Sequence, residues 1–462
     1  MNTMYDLVIL GAGGGGITAA FEAQRLGAKV ALREKHKIGG ECTHSGCVPS
    51  KALIDVAKNL HSINNSATHG LHSVDVQSGF QFKHAMEHVK SIIDGIYAHE
   101  QPKRFNDLGI DTYINETGAS FLDPYTVEIG GQTIKGENFI IATGSGPRLL
   151  PTDPDSPVKM LNNENFWELR EQPESIAFLG GGVISAELGQ ALARFGTKVK
   201  IIDRNSRILG AIDPDVSQYL INVFSDMGIE MITDANATVC SKNGDGKICI
   251  DIEQGKDSKQ KLLVDELFVA IGRVPNLDGL NLEAAGIEYT RHGVTVNEKM
   301  QSSVSHICAV GDVASRAKFS HVANYQAERV VRNILHKQSN DIDLAALPWV
   351  IFTDPEIGHV GLTEAQAREK LQGVQTYQVD AATDRFITDS KTGGFLKIVM
   401  DSENRILGAT GIGAHAGEWV QCLTLAVKMG LKAEDIADTI FAYPTYAEIV
   451  KKSCSRFLRT KL

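Results

Sequence analysis

One pattern occurs twice along the chain: an apolar strand, a glycine-rich turn, a helix and a second strand. Residues 5–34 form the first copy and residues 175–203 form the second. The small residues of the two turns are Gly11, Gly13 and Gly16 in the first copy, and Gly180, Gly182 and Ser185 in the second. An acidic residue ends each copy and follows the first glycine by 23 residues in both. The repeat therefore predicts two units with the same strand–turn–helix–strand fold.

Each part of the pattern suits a dinucleotide. The first glycine allows a tight turn, the second lets the backbone approach a pyrophosphate, and the third lets helix and strand pack closely. The acids, Glu34 and Asp203, accept hydrogen bonds from a ribose hydroxyl. Two merely structural turns are the alternative, but they do not explain the acids. Ser185 replaces a glycine with another small residue and predicts a looser fit. Because one chain rarely needs the same cofactor twice, we expect two different dinucleotides.

Length and charge narrow the class of protein. The chain has 462 residues, which exceeds one ordinary domain of roughly 100–200 residues. Its net charge of −10 argues against a nucleic-acid partner. No apolar run reaches the roughly 18–20 residues needed to cross a bilayer, and no export signal precedes the first strand. We therefore predict a cytoplasmic protein with no membrane partner.

The cysteines are sparse and odd in number, which makes a structural disulfide framework unlikely in a reducing compartment. Only Cys42 and Cys47 lie close together in sequence. Five residues of regular helix rise about 7.5 Å, beyond the roughly 4.4–6.8 Å Cα separation of a disulfide. The two can pair only if the segment bends, and Gly46 supplies freedom there. A bridge across so short a loop would stabilise little, so a redox role is a better interpretation than two free structural thiols.

The segment around these cysteines, GGECTHSGCVPSK at 39–51, resembles the redox motif of the flavoprotein disulfide reductases. That family includes dihydrolipoamide dehydrogenase, glutathione reductase and mercuric reductase. The resemblance extends over essentially the whole chain. The motifs occur in family order as GAGGGG, the cysteine pair, ATGS, the second glycine turn, AIGRVPN, AVGDV and FTDPEIGHVGLTE.

The resemblance implies an α/β fold with two Rossmann-like domains and a C-terminal α+β dimerisation domain. FAD would bind residues 1–149 and 275–346, and NAD(P)H would bind residues 150–274. Residues 347–462 would form a homodimer with active sites at the interface. Electrons would pass from the nicotinamide through FAD to the cysteine pair, and on to a small-molecule or protein disulfide or a thiol-bound metal.

The resemblance also assigns roles to individual residues. Cys47 would lie against the flavin, Cys42 would attack the external disulfide, and Lys51 would sit near flavin N5. Glu187 would pair with Lys51 close to the nicotinamide, and Asp312 would bind the ribityl chain. The implied FAD-binding residues are Gly11, Gly13, Gly16, Glu34, Lys51, Gly118, Thr143, Gly144 and Asp312. The implied NAD(P)H-binding residues are Gly180, Gly182, Glu187, Asp203, Arg204 and Gly272.

One position departs from the family pattern. The dihydrolipoamide and glutathione enzymes carry a His-Pro-Thr segment and then a Glu. This chain has Tyr443 in the position of that His and retains the Glu as Glu448. A tyrosine with a pKa near 10 donates a proton but is a poor base at neutral pH. Tyrosine here resembles mercuric reductases and soluble transhydrogenases. However, mercuric reductases end in two adjacent cysteines where this tail has only Cys454, and the transhydrogenases lack the cysteine pair.

Several alternatives stay open. A flavin-centred transhydrogenase, diaphorase or quinone reductase competes with disulfide or metal reduction, and a non-enzymatic redox sensor is a third hypothesis. Asp203 favours NADH because its carboxylate repels a 2′-phosphate, whereas Arg204 would bind that phosphate. We expect NADH. Cys454 is interpreted as an isolated thiol rather than a metal ligand, and no histidine spacing predicts a metal site. His44, inside the redox loop, is a candidate substrate contact.

Overall fold

Three main sheets of seven, four and five strands organise the fold, and three smaller sheets accompany them in the described part of the chain. The computed structural model describes residues 4–72, 79–152, 157–255 and 258–461. The strands are β1 (Met4–Leu10), β2 (Val30–Glu34), β3 (Ile110–Ile114), β4 (Ala119–Asp123), β5 (Thr126–Ile129), β6 (Gln132–Ile141), β7 (Ser145–Pro147), β8 (Ser175–Leu179), β9 (Lys198–Ile202), β10 (Glu230–Ile232), β11 (Ala235–Lys242), β12 (Ile248–Gln254), β13 (Ser258–Val264), β14 (Glu266–Val269), β15 (Arg273–Pro275), β16 (Tyr289–Thr290), β17 (Gly293–Val294), β18 (Ile307–Ala309), β19 (Pro348–Ile351), β20 (Glu356–Gly361), β21 (Gln375–Asp380), β22 (Phe395–Met400) and β23 (Ile406–Gly413).

The helices lie between these strands and after the last of them. They are α1 (Gly14–Arg25), α2 (Gly40–His44), α3 (Cys47–Asn64), α4 (Phe82–Tyr97), α5 (Pro102–Asp107), α6 (Val183–Arg194), α7 (Pro214–Asp226), α8 (Ser320–Leu335), α9 (Glu364–Lys370), α10 (Asp384–Thr388), α11 (Ala416–Met429), α12 (Ala433–Asp438) and α13 (Glu448–Arg459).

The first sheet has the strand order β3-β2-β1-β6-β5-β4, and β18 also pairs with β6. Strands β1, β2, β3, β6 and β18 run parallel to their neighbours in this group, while β4 and β5 are antiparallel. Side chains alternate between the two faces along β1. Leu7 and Ile9 pack in a core with α1 and α8, whereas Val8 and Leu10 pack with Phe121 on the other face. Both faces of β1 are thus buried, as an apolar strand in a parallel sheet requires.

The second sheet repeats this design on a smaller scale. Its order is β10-β9-β8-β14, with every pair parallel, and a separate antiparallel sheet β11-β12-β13 lies beside it. Helix α6 is buried continuously from Ser185 to Leu192, because it lies between the sheet and neighbouring helices. The predicted repeat is therefore confirmed as two strand–turn–helix–strand units on two sheets.

The third sheet is antiparallel and has the order β19-β20-β23-β22-β21. Helix α11 packs on it through Trp419, whose ring lies over Gly411 so closely that a Cβ there would collide with it. The predicted α+β character of the C-terminal unit is thereby confirmed. Among the described helices, none is both long and apolar enough to cross a bilayer.

Candidate active site

The first glycine of each repeat has a backbone that favours glycine. Gly11 has φ +105° and Gly180 has φ +97°, in the left-handed region. A Cβ on Gly11 would collide with the carbonyl of Ala142, and one on Gly180 with the carbonyl of Ala270. Since both carbonyls follow a neighbouring parallel strand, the two turns close against their sheets in the same way. Gly13 and Gly182 then cap the helices α1 and α6.

The acidic residues that end the repeats face these turns. Glu34 accepts a hydrogen bond of 2.8 Å from the amide of Ala12. Asp203 accepts one from the amide of Gly181, the corresponding residue of the second turn, and another of 2.7 Å from Asn205. Each carboxylate is therefore held beside the glycine turn, where a ribose hydroxyl of a dinucleotide would lie.

Ser185 does more than fill the place of a third glycine. Its side chain is fully buried, and its hydroxyl donates a hydrogen bond to the carbonyl of Gly180. The expectation of a looser fit is wrong here, because this bond ties the first turn of α6 to the glycine turn. Local sequence could not show it, since a serine in this position also has rotamers that point elsewhere.

The other predicted FAD-binding residues lie around the carboxyl end of β6. Thr143 donates its hydroxyl to the carbonyl of Asn276 at 2.8 Å. Asp312 accepts a hydrogen bond of 2.6 Å from Ser145. Gly144 and Gly118 have φ of +70° and +95°. Thr143 and Gly144 both bind Asn276, and Asp312 binds Ser145, whereas Gly118, just before β4, lies beside the buried guanidinium of Arg33.

The remaining NAD(P)H candidates are Gly272 and Arg204. Gly272 has φ +119°, and its carbonyl accepts the amide of Arg148 at 3.0 Å, next to the β7–β15 pair. Arg204 is exposed beside Asp203. Its guanidinium is therefore accessible to a ligand at the end of β9.

The structure contains a charged cluster beside Cys42 that the sequence did not predict. Arg273 binds both oxygens of Glu41, donates to Ser145 at 2.7 Å, and lies 3.3 Å from Asp312. Burial raises the pKa of the Glu41 carboxyl, while Arg273 opposes that rise. Glu41 and Arg273 each belong to a recognised motif, GGEC and AIGRVPN, but they are too far apart in sequence for their spacing to predict contact. The cluster links the redox loop to Asp312.

The segment between the cysteines bends as the spacing requires. Helix α2 ends at His44 and α3 begins at Cys47, so the two thiols lie on separate helices. A Cβ on Gly46 would lie 3.0 Å from the carbonyl of Glu41 and 3.4 Å from the Cα of Cys42. Gly46 has φ −121°, so glycine is needed here for close approach of the two helices rather than for a left-handed turn. Both cysteines are free thiols in the structure.

The two thiols have opposite acidities. The hydrogen bond from Cys42 lowers the pKa of Cys47 to about 6, assisted by Ser320, whose hydroxyl lies 3.7 Å from its sulfur, and by Lys51. Cys47 also begins α3, where the helix dipole favours a thiolate. The pKa of Cys42 is raised by the same hydrogen bond and by burial. One thiolate and one thiol therefore share a proton, the arrangement of a working dithiol.

Lys51 and Glu187 are brought together as predicted, although 136 residues separate them. Their ammonium and carboxylate groups are 2.8 Å apart, and Glu187 is only 4% exposed. The second carboxylate oxygen of Glu187 accepts the amide of Phe352 at 2.9 Å. The Phe352 ring lies 4.6 Å from the Lys51 ammonium. The pair thus joins the redox helix α3 to α6 of the second sheet.

Tyr443 and Glu448 lie apart from the cysteine pair within the chain. Tyr443 is 69% exposed and donates to Asp384 at 2.9 Å, which raises the pKa of the phenol. Glu448 accepts the amide of Thr445 at 3.2 Å. In the described part of the chain, neither has a hydrogen bond to the redox loop. Tyr443 therefore lies on an open surface of the third unit, with its hydroxyl hydrogen-bonded to Asp384.

Two further candidates have ordinary structural environments. Cys454 lies on the buried face of α13, where it is 1% exposed, and burial raises its pKa to about 12. His44 hydrogen-bonds through Nε2 to the carbonyl of Ile38 at 2.8 Å, and its ring edge contacts Tyr97. Across residues 4–72, 79–152, 157–255 and 258–461, no group of His, Cys, Asp and Glu could hold a metal ion.

The site fits the two cofactors that the resemblance implies. A Cβ would fill the space at both glycine turns, and each turn is followed by a helix N-terminus that suits a pyrophosphate. Cys47 and Lys51 are next to each other on α3, where a thiolate and an ammonium would face the same bound ring.

Comparisons with known proteins agree with this geometry. The model of the pyridine nucleotide-disulphide oxidoreductase family matches residues 5–327, and that of the family's dimerisation domain matches residues 347–454. A mercuric reductase of Staphylococcus aureus is 34% identical, over 98% of this chain and 82% of that protein. A dihydrolipoyl dehydrogenase of Staphylococcus aureus is 31% identical, over 98% of this chain and 96% of that protein.

A solved structure is similar over its whole length. It is described as a Cu(II) complex of the HOCl-induced flavoprotein disulfide reductase RclA from Escherichia coli. It superposes with a TM-score of 0.86 at 26% identity, covering 98% of this chain and 99% of that one. The chain therefore belongs to the pyridine nucleotide-disulfide oxidoreductases, a family of enzymes that use FAD and a pyridine nucleotide.

Proposed function

We propose that this chain is an FAD-dependent NAD(P)H oxidoreductase that reduces the Cys42–Cys47 pair and then an external disulfide or a thiol-bound metal. The observation that carries the proposal is the cysteine pair itself. A low-pKa thiol and a high-pKa thiol lie at the junction of α2 and α3, beside the Lys51–Glu187 pair. Two idle structural thiols would have no need of this asymmetry.

The chain's own residues bind and orient the cofactors in this proposal. The first glycine turn and Glu34 hold the FAD pyrophosphate and adenosine ribose, and Asp312 binds the ribityl chain. The second turn and Asp203 hold the nicotinamide nucleotide, and we propose NADH. When bound, FAD accepts an electron pair from the nicotinamide and delivers it to a disulfide. The proposed boundaries are 1–149 with 275–346 for FAD, 150–274 for the nucleotide and 347–462 for dimerisation.

The dithiol then reduces its substrate by exchange. Cys42 attacks one sulfur of an external disulfide, which forms a mixed disulfide and releases the other half as a thiol. Cys47 attacks the Cys42 sulfur, so the second half leaves and the internal disulfide re-forms. Two electrons thus leave the pair and two external thiols are produced. Lys51 stabilises the Cys47 thiolate until that sulfur attacks Cys42.

Tyr443 influences which acceptor is favoured. Cys42 must lose its proton before it attacks a disulfide, and Tyr443 donates a proton but is a poor base for Cys42. Similarity to mercuric reductases, and to a reductase whose solved structure is a Cu(II) complex, supports testing thiol-bound mercuric and copper ions beside small disulfides.

An anaerobic titration of the purified protein with NADH, followed by the flavin spectrum, tests the proposal. We expect a long-wavelength absorption band after two electrons, lost in Cys47→Ser and retained in Cys249→Ser, a cysteine on β12 away from the loop. Direct flavin bleaching without the band would contradict the proposal and would favour a transhydrogenase, diaphorase or quinone reductase.

We also propose a homodimer formed by the third unit. Three of its apolar side chains are largely exposed in the single chain: Ile440 at 92%, Met429 at 71% and Leu425 at 67%. Apolar side chains this exposed on one unit indicate a protein interface. Tyr443 follows Ile440 closely, so the same interface would bring Tyr443 towards the partner's redox loop.

A further inference from the structure

The motif FTDPEIGHVGLTE begins with a loop that the proposed function leaves without a role. Loop 352–356 joins the antiparallel strands β19 and β20, and its last residue begins β20. It contacts α3 and α6, the helices that carry Lys51 and Glu187. A segment of the dimerisation unit thus reaches the redox centre of its own chain.

The first residue of the loop holds the carboxylate of Glu187. The Phe352 amide donates to one oxygen at 2.9 Å, and Lys51 contacts the other at 2.8 Å. Since Glu187 is buried, each oxygen needs a partner. The Phe352 ring also lies 4.6 Å from the Lys51 ammonium. Moving this loop would change both partners of the ion pair.

The middle of the loop is attached to the last turns of α6. Asp354 exchanges two main-chain hydrogen bonds with the side chain of Gln190, at 2.7 and 2.8 Å. Its carboxylate lies 2.7 Å from Arg194, a guanidinium that is 5% exposed. Burial raises the pKa of Asp354, but the charge and the hydrogen bond of Arg194, together with the charges of Lys58 and Lys391, outweigh it, so the net shift is downward. An ionised carboxylate therefore anchors the loop.

The end of the loop is attached to α3 and α11. Glu356 lies 3.1 Å from Lys58, two helical turns beyond Lys51, and accepts the amide of Gly417 at 3.2 Å. The loop therefore has one anchor on each helix of the redox centre and a third on its own unit.

We propose that loop 352–356 positions the Lys51–Glu187 ion pair, with Asp354 and Glu356 as positioning residues for the redox reaction. This inference rests on the proposed function, in which Cys47 acts as a thiolate. The groups that face the Cys47 sulfur are the Cys42 thiol, Lys51, Glu187 and the Ser320 hydroxyl. Asp354 acts on Cys47 only through Lys51 and Glu187.

The sign of the effect separates positioning from simple charge. Removing the negative charge of Asp354 would by itself favour the Cys47 thiolate and lower its titration midpoint. Loss of the Asp354–Arg194 ion pair, which anchors the loop, instead moves Lys51 away from the Cys47 sulfur and raises the Cys47 midpoint. For Asp354→Asn, which keeps the main-chain bonds to Gln190, we expect a rise on the order of half a pH unit.

The experiment titrates the full-length FAD-bound protein after chemical reduction of the dithiol. Ultraviolet thiolate absorbance is followed against pH, and each protein is measured against its own Cys47→Ser version. Asp107→Asn, which removes a carboxylate from an exposed ion pair with Lys103, serves as the control and should leave the midpoint unchanged. Glu356→Gln should also raise the Cys47 midpoint. Because it leaves no buried charge unpaired, it serves as the test variant if Asp354→Asn fails to fold.

A double-mutant cycle completes the test. In a Lys51→Met background, Asp354→Asn should no longer raise the Cys47 midpoint if it acts through Lys51. An unchanged or lowered midpoint in the loop variants, or a full additional shift without Lys51, would overturn the inference. A wild-type protein with no titrating Cys47 thiolate would instead contradict the proposed function, so the two failures are distinguishable.

Discussion

At the scale of single residues, the chemistry of Cys47 depends on what surrounds its sulfur. Cys47 begins α3, accepts a hydrogen bond from Cys42 and lies near Ser320 and the Lys51 ammonium. These features all stabilise a negative charge, whereas burial and the charge of Glu187 oppose it. Its pKa of about 6 means that Cys47 is a thiolate at neutral pH and becomes protonated as the pH falls below 6.

Replacing Cys42 tests the main cause of that shift. Cys42→Ala removes the hydrogen-bond donor, so we expect the Cys47 midpoint to rise from about 6 towards an ordinary thiol value of about 8.5. Cys42→Ser keeps a donor and should shift the midpoint less. The measurement is the pH dependence of thiolate absorbance. Equal midpoints in the two variants would contradict the hydrogen-bond explanation.

We expect two adjacent residues, Asp203 and Arg204, to decide the nucleotide preference. Asp203 is held by the amides of Gly181 and Asn205, so its charge lies where a 2′-phosphate would approach. We expect NADH to reduce the flavin at least about tenfold faster than NADPH at equal subsaturating concentration, equivalent to about 1.4 kcal/mol. Stopped-flow reduction measures this. Faster reduction by NADPH, lost in Arg204→Ala but not in Arg291→Ala, would assign the preference to Arg204 instead.

At the scale of elements, each nucleotide unit depends on how its helix meets the glycine turn. In the first unit a glycine at position 16 allows that contact, because a Cβ would collide with the carbonyl of Gly11. In the second unit the Ser185 hydroxyl makes a hydrogen bond to the corresponding carbonyl. The helix therefore contacts the glycine turn in both units, through a glycine in the first and through a serine hydroxyl in the second.

Ser185→Ala tests the serine contact of the second unit. Loss of a buried hydrogen bond to a carbonyl should lower the stability of the second unit by about 1 kcal/mol and weaken NADH binding. The urea unfolding midpoint and a binding titration measure these effects. Ser91→Ala, on the exposed face of α4, is the control and should stay within about 0.5 kcal/mol. A Ser185→Ala protein as stable as the parent would show that the bond contributes nothing.

At the scale of the whole molecule, local and distant features differ in how well the sequence predicts them. The glycine turns, their acids and the bend between the cysteines follow from spacing, because they are formed within short segments. The Lys51–Glu187 pair required the family resemblance. The Arg273–Glu41 contact and the anchors of loop 352–356 join segments that are far apart in sequence. In the sequence alone, these charged residues cannot be distinguished from ordinary surface charges.

The exposed apolar side chains of the third unit predict that a charged residue introduced among them will weaken the proposed homodimer. Ile440→Asp should weaken the homodimer by at least about 2 kcal/mol, or roughly 30-fold, because a carboxylate would be buried in the interface. Sedimentation equilibrium measures the dissociation. Leu149→Asp, at an exposed site between the first two sheets, should leave assembly unchanged. An intact Ile440→Asp dimer would place the interface elsewhere.

The short β7–β15 pair has a consequence for how the molecule is built. The chain leaves the first sheet through β7 and returns through β15, and Pro147 is paired with Arg273 across that ribbon. Paired antiparallel residues lie about 4.5–5.5 Å apart, a gap that a two-residue turn can close. The second nucleotide unit is thus an insertion whose entry and exit coincide. We expect that this unit can be exchanged as a cassette while the first sheet keeps its own connectivity.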